Sequence, residues 1–502
     1  MINEELPYVL EHTGAAQMTL ENEQQSRIMH FLMKERPHLS SITYAWDEIG
    51  MSALFADAYD DSMRFCPQQK TWYIWKHRWE KQSGESAIHN RLQTLLNLLL
   101  LYCKEISFLD PSDEYIENYQ KFIKSTRKYN VMKNIINTLS CTVTIDIADM
   151  DSNPYILNTT TQAFDLSTGK VVDDIRKYNV TKMTTCSLPN FLHTRCNRWY
   201  QFIDEIMDGD KEKAAFLQRA LGYSLLGVNR EECMFIAYGP KTRNGKGTLF
   251  SSLQNVLGED YIGTAPPTLI CETDGGRKPD LNAPQPVLAS LTGTRIVTMA
   301  ESSKASSLLD AANMKMMTGR DTLVTRGLFE NAFRFVPQFT LWLNTNYLPP
   351  VNDDTVFSSD RIWVIRFDKH FDNESRDMDL KELFAAPENK PTILQWLIDG
   401  CNDYMKNGLN VPMCVRKETN AYREAHDRIG CFIKDMCEVG EDYKILRGDL
   451  YRIYRQWCVK AENQYKPLGS TTFYNEMSNK NYAVLRSAEG WFVHGLKGKE
   501  TV

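Results

Sequence analysis

The sequence lacks several features that would assign it to a specialised class of protein. It has no Cys-x-x-Cys pair, no internal repeat, no low-complexity tract and no excess of positive charge, since the formal net charge is −6. The missing cysteine pairs argue against the common zinc modules, and the charge argues against a surface that attracts nucleic acid everywhere. Any contact with nucleic acid must therefore come from a local basic surface.

Long apolar segments are also missing. The most apolar run, LLNLLLLYC at 95–103, is too short to cross a bilayer and predicts a buried helix. The N-terminus, MINEELPYVL, is acidic and has no apolar secretory core. Of the twelve cysteines, only the spacings Cys186–Cys196 and Cys431–Cys437 approach a metal-binding pattern, and neither matches one. The cysteines are interpreted as reduced core residues of a cytoplasmic protein.

What the sequence does contain is the composition of a globular protein with several domains. A chain of 502 residues, 42% hydrophobic and 24% charged, predicts roughly two to four domains. The first half predicts a strand within 72–82, helices at 87–106 and 113–139, and loops with short strands at 149–171.

Four short apolar runs in the second half predict the strands of an α/β core. They are CMFIAYG at 233–239, RIVTMAE at 295–301, FTLWLNTN at 339–346 and RIWVIRF at 361–367. Helical patterns separate these runs, as in folds built on a parallel sheet. From residue 417, three helices and a two-stranded hairpin are predicted, the first helix running without a break over 418–437.

The stretch YGPKTRNGKGTLF at 238–250 lies between a predicted strand and a predicted helix. In that position a glycine-rich loop can direct backbone N–H groups and one lysine at phosphate groups. Five residues separate the two glycines instead of four, and a glycine follows the lysine where a hydroxyl residue is usual. A tight turn before a helix remains the alternative. The predicted nucleotide-binding residues are Gly239, Thr242, Arg243, Asn244, Gly245, Lys246, Gly247 and Thr248.

Polar residues end two of the other predicted strands. Glu301 ends the run RIVTMAE, where a carboxylate can hold a metal ion or polarise water beside the phosphates. Asn346 ends the run FTLWLNTN and is suited to orient an attacking water. A glutamate facing solvent and an Asn-Tyr-Leu-Pro-Pro turn are the structural alternatives.

The motifs in this order resemble the helicase part of the phage and plasmid primase–helicases, also found in poxviruses. These are superfamily 3 helicases, a branch of the AAA+ proteins, and the resemblance covers about residues 40–497. It implies an α/β AAA+ P-loop NTPase core, a mostly helical N-terminal region and a C-terminal winged-helix-like domain. The implied domains are a collar region at 1–195, the helicase core at 196–375, a helical connector at 376–416 and the winged-helix-like domain at 417–502.

The resemblance also implies roles for individual residues. Lys246 matches the lysine that contacts the phosphates, Glu301 the catalytic carboxylate and Asn346 the polar sensor. Arg361, in SSDRIWVIRF, matches the arginine offered to the ATP of a neighbouring subunit; an ion pair with Asp360 is the alternative. The implied cofactors are ATP and Mg²⁺, with Thr248 and Glu301 as metal ligands.

The segment between the carboxylate and the sensor matches a family motif that leads into a DNA-binding hairpin. The candidate DNA-binding residues are Lys315, Arg320, Arg326 and Phe329. The implied assembly is a homo-hexamer that threads single-stranded DNA, moves 3′ to 5′ and works beside a separate primase. The implied setting is the replication of a phage, prophage or plasmid in the cytoplasm of a bacterial host, without a membrane.

Three other functions remain open at the level of sequence. Gly247 and Ala300 replace residues that usually handle magnesium, so the chain could bind ATP and DNA without hydrolysis, as an assembly factor. It could also be a P-loop ATPase that acts on something other than DNA. Asp146 and Asp149 could form a residual primase site, although no companion histidine motif follows them.

Overall fold

The computed structural model describes most of the chain, and this part divides into two compact units. The described residues are 14–40, 42–189, 195–271, 285–301, 308–327, 332–351, 355–374, 376–460, 467–487 and 490–499. The first unit comprises Met1–Thr184, Pro284–Pro286 and Val324–Phe335; the second comprises Thr185–Ala283, Val287–Leu323 and Val336–Val502.

The first unit is built mainly from helices that share one apolar core. Leu92, Leu95, Leu99 and Tyr102 recur every three or four residues along the third helix, so one helix face is buried. Asp47 starts the second helix by accepting a hydrogen bond from the Gly50 N–H at 2.8 Å. The helices are α1 (Gly14–Glu35), α2 (Glu48–Ala58), α3 (Ser86–Leu109), α4 (Ile116–Thr126) and α5 (Tyr129–Thr142).

Helix α3 contains the apolar run noted in the sequence. In the part of the chain that the structure describes, it is the one helix whose length and composition would let it cross a membrane. Leu95, Leu96, Leu99 and Cys103 of that run are buried in the core of the first unit. The prediction of a buried helix is therefore confirmed.

The first unit also contains two small antiparallel sheets. One is β1-β2-β3 and the other is β4-β5-β6. The strand predicted within 72–82 and the loops with short strands predicted at 149–171 are both present. The strands are β1 (Met63–Cys66), β2 (Thr71–Trp75), β3 (Trp79–Lys81), β4 (Ile156–Asn158), β5 (Ala163–Asp165) and β6 (Lys170–Val172).

A five-stranded parallel sheet forms the centre of the second unit, with the order β13-β7-β12-β9-β8. The four strands predicted from apolar runs are all present, which confirms the α/β class. From residue 197 to residue 426 the elements in chain order are α6 (Asn197–Ile206), α7 (Lys211–Tyr223), β7 (Met234–Tyr238), α8 (Lys246–Tyr261), β8 (Ile262–Thr264), α9 (Pro286–Ser290), β9 (Ile296–Glu301), α10 (Ala311–Thr318), β10 (Leu323–Thr325), β11 (Phe333–Phe335), β12 (Thr340–Thr345), α11 (Thr355–Ser358), β13 (Ile362–Arg366), α12 (Leu380–Ala385), α13 (Lys390–Asn407) and α14 (Met413–His426). Of these, β11 and most of β10 belong to the first unit.

Helices α7 and α13 meet at two glycines. A Cβ added to Gly222 would overlap the backbone of Gly400 and Cys401, and a Cβ added to Gly400 would overlap the carbonyl of Gln218. The glycines thus allow the two helix backbones to touch, which larger side chains would prevent.

The last part of the second unit has its own apolar core, formed by Phe432, Tyr454, Phe473, Val493 and their neighbours. It contains α15 (Arg428–Met436), β14 (Cys437–Leu446), α16 (Arg447–Lys460), α17 (Ser470–Asn479), β15 (Val484–Ser487) and β16 (Gly490–Gly498). The strands form one antiparallel sheet in the order β14-β16-β15. The three helices and the hairpin are as predicted.

Two details of this region differ from the sequence prediction. The helix predicted without a break over 418–437 is divided, because Asp427 ends α14 and accepts a hydrogen bond from the Gly430 N–H at 2.8 Å to begin α15. Strand β14 was not predicted. Its exposed Glu441 and Asp442 interrupt the apolar alternation from which a strand is recognised.

Candidate functional site

The loop between β7 and α8 places two glycines where no side chain fits. Gly245 has φ of 82° and caps α8, and a Cβ there would overlap Ile206. A Cβ on Gly239 would overlap the side-chain amide of Asn244. The backbone therefore turns tightly into the helix N-terminus, the arrangement that directs N–H groups towards an anion.

Lys246 is the first residue of α8, and its side chain turns back to the ends of two strands. Its Nζ donates to the Thr345 carbonyl at 2.7 Å and to Asn346 Oδ1 at 3.0 Å, and it lies 3.5 Å from the Gly239 carbonyl. The residue is only 4% exposed, and burial lowers the pKa of Lys246 to about 8. The structure thus brings together Gly239, Lys246 and Asn346, which were selected separately from the sequence.

The outer part of the loop is held by the segment that follows β13. His370 Nδ1 lies 2.7 Å from the Thr242 carbonyl, and Arg243 Nη1 donates to Asn373 Oδ1 at 2.8 Å. The Phe371 N–H also donates to the Arg243 carbonyl at 2.8 Å. Sequence reasoning missed these supports, because they lie more than 120 residues from the loop and belong to no recognisable motif.

Gly247 and Thr248 follow Lys246 in the first turn of α8. Gly247 is exposed, and a Cβ there would meet no atom within 4 Å. Thr248 is half-buried, and its carbonyl accepts hydrogen bonds from Ser251 and Ser252. The position after the lysine therefore has room for a hydroxyl side chain, although the sequence does not supply one.

The sequence predicts that this loop binds a nucleotide with Mg²⁺, and on that prediction a serine at position 247 should strengthen the binding of Mg²⁺. With Gly247→Ser, the Mg²⁺ concentration for half-saturation should fall about 2- to 10-fold. This factor corresponds to the roughly 0.5–1.5 kcal/mol that one net hydrogen bond contributes. Titration of a fluorescent ATP analogue against Mg²⁺ measures this value. Gly247→Ala adds a side chain without the hydroxyl and should leave it unchanged; an equal shift in both variants would contradict the explanation.

Glu301 ends β9 and pairs in register with Thr345 at the end of β12. Asn346 follows directly, so both predicted polar positions lie at the edge of the sheet where the loop begins. This is the edge formed by the carboxyl ends of parallel strands, where open α/β sheets bind ligands. The side chain of Glu301 lies outside the described part of the chain.

Arg361 lies at the amino ends of the parallel strands, opposite to the carboxyl ends where Lys246 lies, and it immediately precedes β13. Its Nη2 donates to Glu232 Oε2 at 2.6 Å, and its Nη1 lies 3.3 Å from Thr318 Oγ1. The side chain is 20% exposed. The alternative considered from the sequence, an ion pair between Arg361 and Asp360, is not formed among the described residues. Arg361 pairs with Glu232 instead, a residue that was not selected from the sequence.

The four candidate DNA-binding residues are placed differently. Arg320 donates to the carbonyls of Asn229 and Arg230 at 3.2 and 2.8 Å, and its Nε lies 3.7 Å from Glu232 Oε1. Lys315 is half-buried in α10, and Arg326 is exposed after β10. Phe329 lies outside the described residues.

The structure offers no separate metal cluster within the described residues, where no group of three or more His, Cys, Asp or Glu side chains comes together. Asp146 caps a short helical turn by accepting from the Ala148 N–H at 2.8 Å and also accepts from Gln68 at 2.6 Å. Cys186, Cys196 and Cys437 are buried free thiols. A magnesium ion that accompanies ATP needs only one or two protein ligands beside the phosphates, so it is compatible with this arrangement.

The lowered pKa of Lys246 gives the site a predictable pH dependence. Above about pH 8 the free protein loses the Lys246 charge, so affinity for ATP, the ligand predicted from the sequence, should fall about ten-fold between pH 7 and pH 9. Equilibrium binding of a fluorescent ATP analogue across that range measures the effect. The Lys241→Gln variant removes an exposed lysine of the same loop and should keep the dependence, whereas Lys246→Gln should bind weakly throughout. A ten-fold fall that persists in Lys246→Gln would contradict this assignment.

Two models of protein families match separate parts of the chain. Residues 52–208 match the family described as D5 N terminal like. Residues 424–491 match the family described as Poxvirus D5 protein-like. In the sequence, one match precedes the glycine-lysine loop and the strands of the parallel sheet, and the other follows them.

Curated viral proteins are also similar to the chain. A protein of Acanthamoeba polyphaga mimivirus, named “Putative helicase”, is 25% identical over 77% of this chain and 43% of that protein. A “Putative helicase” of Frog virus 3 is 24% identical over 54% of this chain and 28% of that protein. “Primase D5” of Fowlpox virus is 26% identical over 38% of this chain and 24% of that protein. The chain spans less than half the length of these relatives.

Solved structures support the overall architecture. The apo structure of the NrS-1 C-terminal region has a TM-score of 0.50 at 12% identity, covering 89% of this chain and 99% of that chain. This likeness concerns the fold alone. Together, the two matched family models and the viral relatives confirm that the chain resembles the primase–helicases that include the poxvirus D5 proteins.

Proposed function

We propose that the chain is an ATP-dependent DNA helicase of superfamily 3 with an AAA+ P-loop core. The observation that carries the proposal is the contact of Lys246 Nζ with Asn346 Oδ1 at 3.0 Å, at the carboxyl edge of the parallel sheet. A buried lysine held beside a strand-end amide, at a helix N-terminus, can donate hydrogen bonds to phosphate oxygens. The relatives named as helicases fit this chemistry.

Each of these residues would have a separate role in phosphoryl transfer. Lys246 would exchange its carbonyl and amide contacts for the phosphates of ATP, and the loop N–H groups would complete the cradle. Asn346 would orient the attacking water and Glu301 would polarise it. Thr248 and Glu301 would hold Mg²⁺, which supplies charge neutralisation for the phosphates.

Arg361 would serve the ATP site of a neighbouring subunit. It lies at the edge of the sheet opposite to Lys246, so one chain cannot bring both residues to the same nucleotide without rearrangement. A ring of six subunits would bring the two edges together, and the guanidinium would then stabilise charge that develops in the transition state. The hexamer remains part of the proposal.

Replacing Arg361 with alanine should therefore separate ATP binding from turnover. In Arg361→Ala we expect ATP affinity within about two-fold of the unmodified chain and turnover at least about ten-fold lower, because a trans-acting arginine stabilises the transition state. A coupled ATPase assay and a binding titration measure the two quantities.

Mixing Arg361→Ala subunits with Lys246→Ala subunits provides the control for action in trans. Some interfaces then combine an intact lysine with an intact arginine, so part of the turnover should return. No recovery at any mixing ratio, although mixed rings form, would contradict action across an interface.

DNA would pass through the ring as a single strand and move 3′ to 5′. Lys315, Arg320, Arg326 and Phe329 would contact it, mainly through phosphates and with little reading of sequence. The last helices and the sheet β14-β16-β15 would form the winged-helix-like domain. Separate primase and replication proteins would complete the machinery, in the replication of a phage, prophage, plasmid or related viral genome; a bacterial cytoplasm as the setting stays a prediction.

An assembly factor that binds ATP without hydrolysing it is the second candidate. Gly247 and Ala300 motivate it, since each stands where a residue that handles magnesium is usual. A residual primase activity at Asp146 and Asp149 has less support, because both residues lie in and beside a short capped turn without a companion cluster among the described residues.

The deciding experiment is ATP hydrolysis by the purified chain with and without single-stranded DNA. The helicase proposal predicts turnover that rises when DNA is added. ATP binding with no turnover in either condition would reject it and favour the assembly factor. Turnover that DNA does not change would favour an ATPase acting on something else.

A further inference from the structure

Helices α4 and α5 of the first unit contain a local concentration of positive charge. Between residues 118 and 145 the sequence has no Asp or Glu, although the whole chain has a formal net charge of −6. The same stretch contains five cations with exposed side chains, which are Lys121, Lys124, Arg127, Lys128 and Lys133. It is therefore a local basic surface of the kind that any contact between this chain and nucleic acid requires.

The cations follow one another around the turn that joins the two helices. Lys121, Lys124 and Lys128 are spaced by three and four residues, so they lie along one side of α4 and its C-terminal end, away from its buried residues. Lys128 also directly precedes α5, in which Tyr129 and Lys133 are exposed and lie one turn apart. We call the five cations together with Tyr129 the basic corner.

The chain does not neutralise the basic corner. Its five cations form no ion pair and no side-chain hydrogen bond with any residue that the structure describes. Glu48 of α2 accepts a hydrogen bond from Asn134 at 3.0 Å, and Glu117 lies one turn before Lys121, but neither glutamate pairs with these cations. Other cations of the same unit do form ion pairs, among them Lys76, Arg176 and Lys177. Like charges that lack counterions repel each other, and a bound polyanion would relieve that repulsion.

Tyr129 adds an aromatic ring to the basic corner. Its side chain is 67% exposed, and its ring is nearly parallel to the ring of His89 on α3, with 7° between the planes and 5.7 Å between the centroids. Within residues 121–145, all of which the structure describes, Tyr129 is the one large hydrophobic side chain that is exposed. His89 thus steadies the ring while most of it remains accessible to a ligand.

Cations around one exposed aromatic ring match single-stranded nucleic acid best. Its phosphates pair with Lys and Arg, and its unpaired bases stack on aromatic rings. A membrane surface would also attract the cations, but a helix that lies in the interface inserts an apolar face, and none of the exposed residues in 121–145 is aliphatic. An acidic peptide would pair with the cations and leave the tyrosine ring unused.

We propose that the basic corner is a second binding site for single-stranded DNA, separate in sequence from the candidate segment at 315–329. The five cations contact successive phosphates, and one base stacks on Tyr129. Binding at this site needs neither ATP nor hydrolysis, so it goes beyond the proposed helicase activity.

Removal of charge from the basic corner tests the phosphate contacts. Lys121→Gln, Lys124→Gln and Lys128→Gln are combined in the whole chain, and binding of a fluorescently labelled single-stranded DNA oligonucleotide is measured by anisotropy, without ATP, at several salt concentrations. We expect affinity at low salt to fall about ten-fold or more. The slope of log K against log salt should become shallower by about 2, since each contact with a phosphate of a single strand contributes about 0.7.

A second triple variant removes the same charge from scattered positions of the first unit. Lys70, Lys104 and Lys170 are exposed and form no side-chain contact with a charged or polar group among the described residues. With all three replaced by glutamine, affinity should stay within about two-fold and the salt slope should stay the same. An equal loss of affinity in the two triple variants would overturn the proposal, because it would show a general effect of charge.

Photo-crosslinking of the whole chain locates the stacked base. A single-stranded oligonucleotide that contains 5-bromodeoxyuridine is bound without ATP, irradiated and digested with trypsin. The digestion gives the fragment 129–133 from the basic corner and the fragment 327–334 from the other candidate segment. We expect crosslinks in 129–133.

Variants of Tyr129 identify the side chain responsible. Tyr129→Ala should remove most of the crosslink in 129–133 and weaken binding of the oligonucleotide about five-fold, since one base loses its stack. Tyr129→Phe keeps the ring and should retain most of the binding. Tyr115→Ala removes a tyrosine of the same unit that is 61% exposed outside the basic corner, so it is the matched control and should change neither readout.

The outcomes separate this proposal from the helicase proposal. Crosslinks confined to 327–334, or equal binding by Tyr129→Ala and Tyr115→Ala, would overturn the site at the basic corner and leave the helicase proposal intact. Polyglutamate or duplex DNA that competes as well as the single strand would also overturn it, because neither offers an unpaired base to the ring. Crosslinks in 129–133 that depend on Tyr129 would support the site even if the chain did not hydrolyse ATP.

Discussion

Replacement of Lys246 by alanine is expected to abolish ATP hydrolysis, with turnover lower by about 100- to 1000-fold, as for the loss of one preorganised group that stabilises transition-state charge. The lysine is the one buried cation among the described residues of the loop, and its Nζ lies between the ends of β7 and β12. Alanine can neither neutralise the phosphates nor occupy that position. A coupled assay with saturating ATP and single-stranded DNA measures the loss.

The same variant should remain folded, which makes the loss interpretable. Burial already disfavours the charged form of Lys246, as its lowered pKa indicates, so removing the charge costs little stability. We expect Tm to change by less than about 4 °C. Lys241→Ala, in the exposed part of the loop, is the control and should retain turnover. Hydrolysis by Lys246→Ala at more than about a tenth of the native rate would reject the assignment of this loop as the ATP site.

Replacement of Gly222 by alanine is expected to give the largest loss of stability. The added Cβ would overlap the backbone of Gly400 and Cys401, and backbone atoms cannot move aside without displacing a helix. Overpacking of this kind costs about 3 kcal/mol, which corresponds to a fall in Tm of roughly 6–12 °C for a unit of this kind. Thermal unfolding followed by circular dichroism measures the shift.

Gly448 provides the matched control for this stability experiment. It lies in helix α16, and a Cβ there would meet no atom within 4 Å. Gly448→Ala should leave Tm unchanged or raise it slightly, since alanine favours the helix. Gly400→Ala should reproduce the loss, because its Cβ would overlap the Gln218 carbonyl. A Gly222→Ala protein as stable as the Gly448→Ala control would mean that α7 and α13 do not approach this closely.

Elements with strong local patterns were predictable from the sequence. Strands β7, β9, β12 and β13 are continuous apolar runs because parallel strands in a covered sheet are buried on both faces. The regular part of α8 ends at Gly258, which has φ of 72°. Strand β8 was not predicted, since Ile262–Thr264 is three residues long and contains a glycine. Its position depends on pairing with β9, which no local pattern records.

The site was predictable to the extent that it follows the ends of strands. Lys246 and Asn346 were selected from two motifs 100 residues apart, and the fold brings them into contact. The supports of the loop, His370 and Asn373, could not be found, because their role depends on where the chain passes after β13. Glu232 was missed for the same reason, although the charged sequence Arg-Glu-Glu before β7 was a weak signal.

Glu232 lies near the amino ends of the parallel strands, and two arginines, Arg361 and Arg320, share its carboxylate. Its carboxylate accepts a hydrogen bond from Arg361 at 2.6 Å and lies 3.7 Å from Arg320 Nε. Two cations that share one carboxylate repel each other, so each is held less firmly while the other is present. If Arg361 leaves for an anion outside the chain, Glu232 holds Arg320 more strongly, and linkage makes the effect reciprocal. The arginines predicted to serve ATP and DNA are therefore negatively coupled through a carboxylate that belongs to neither motif.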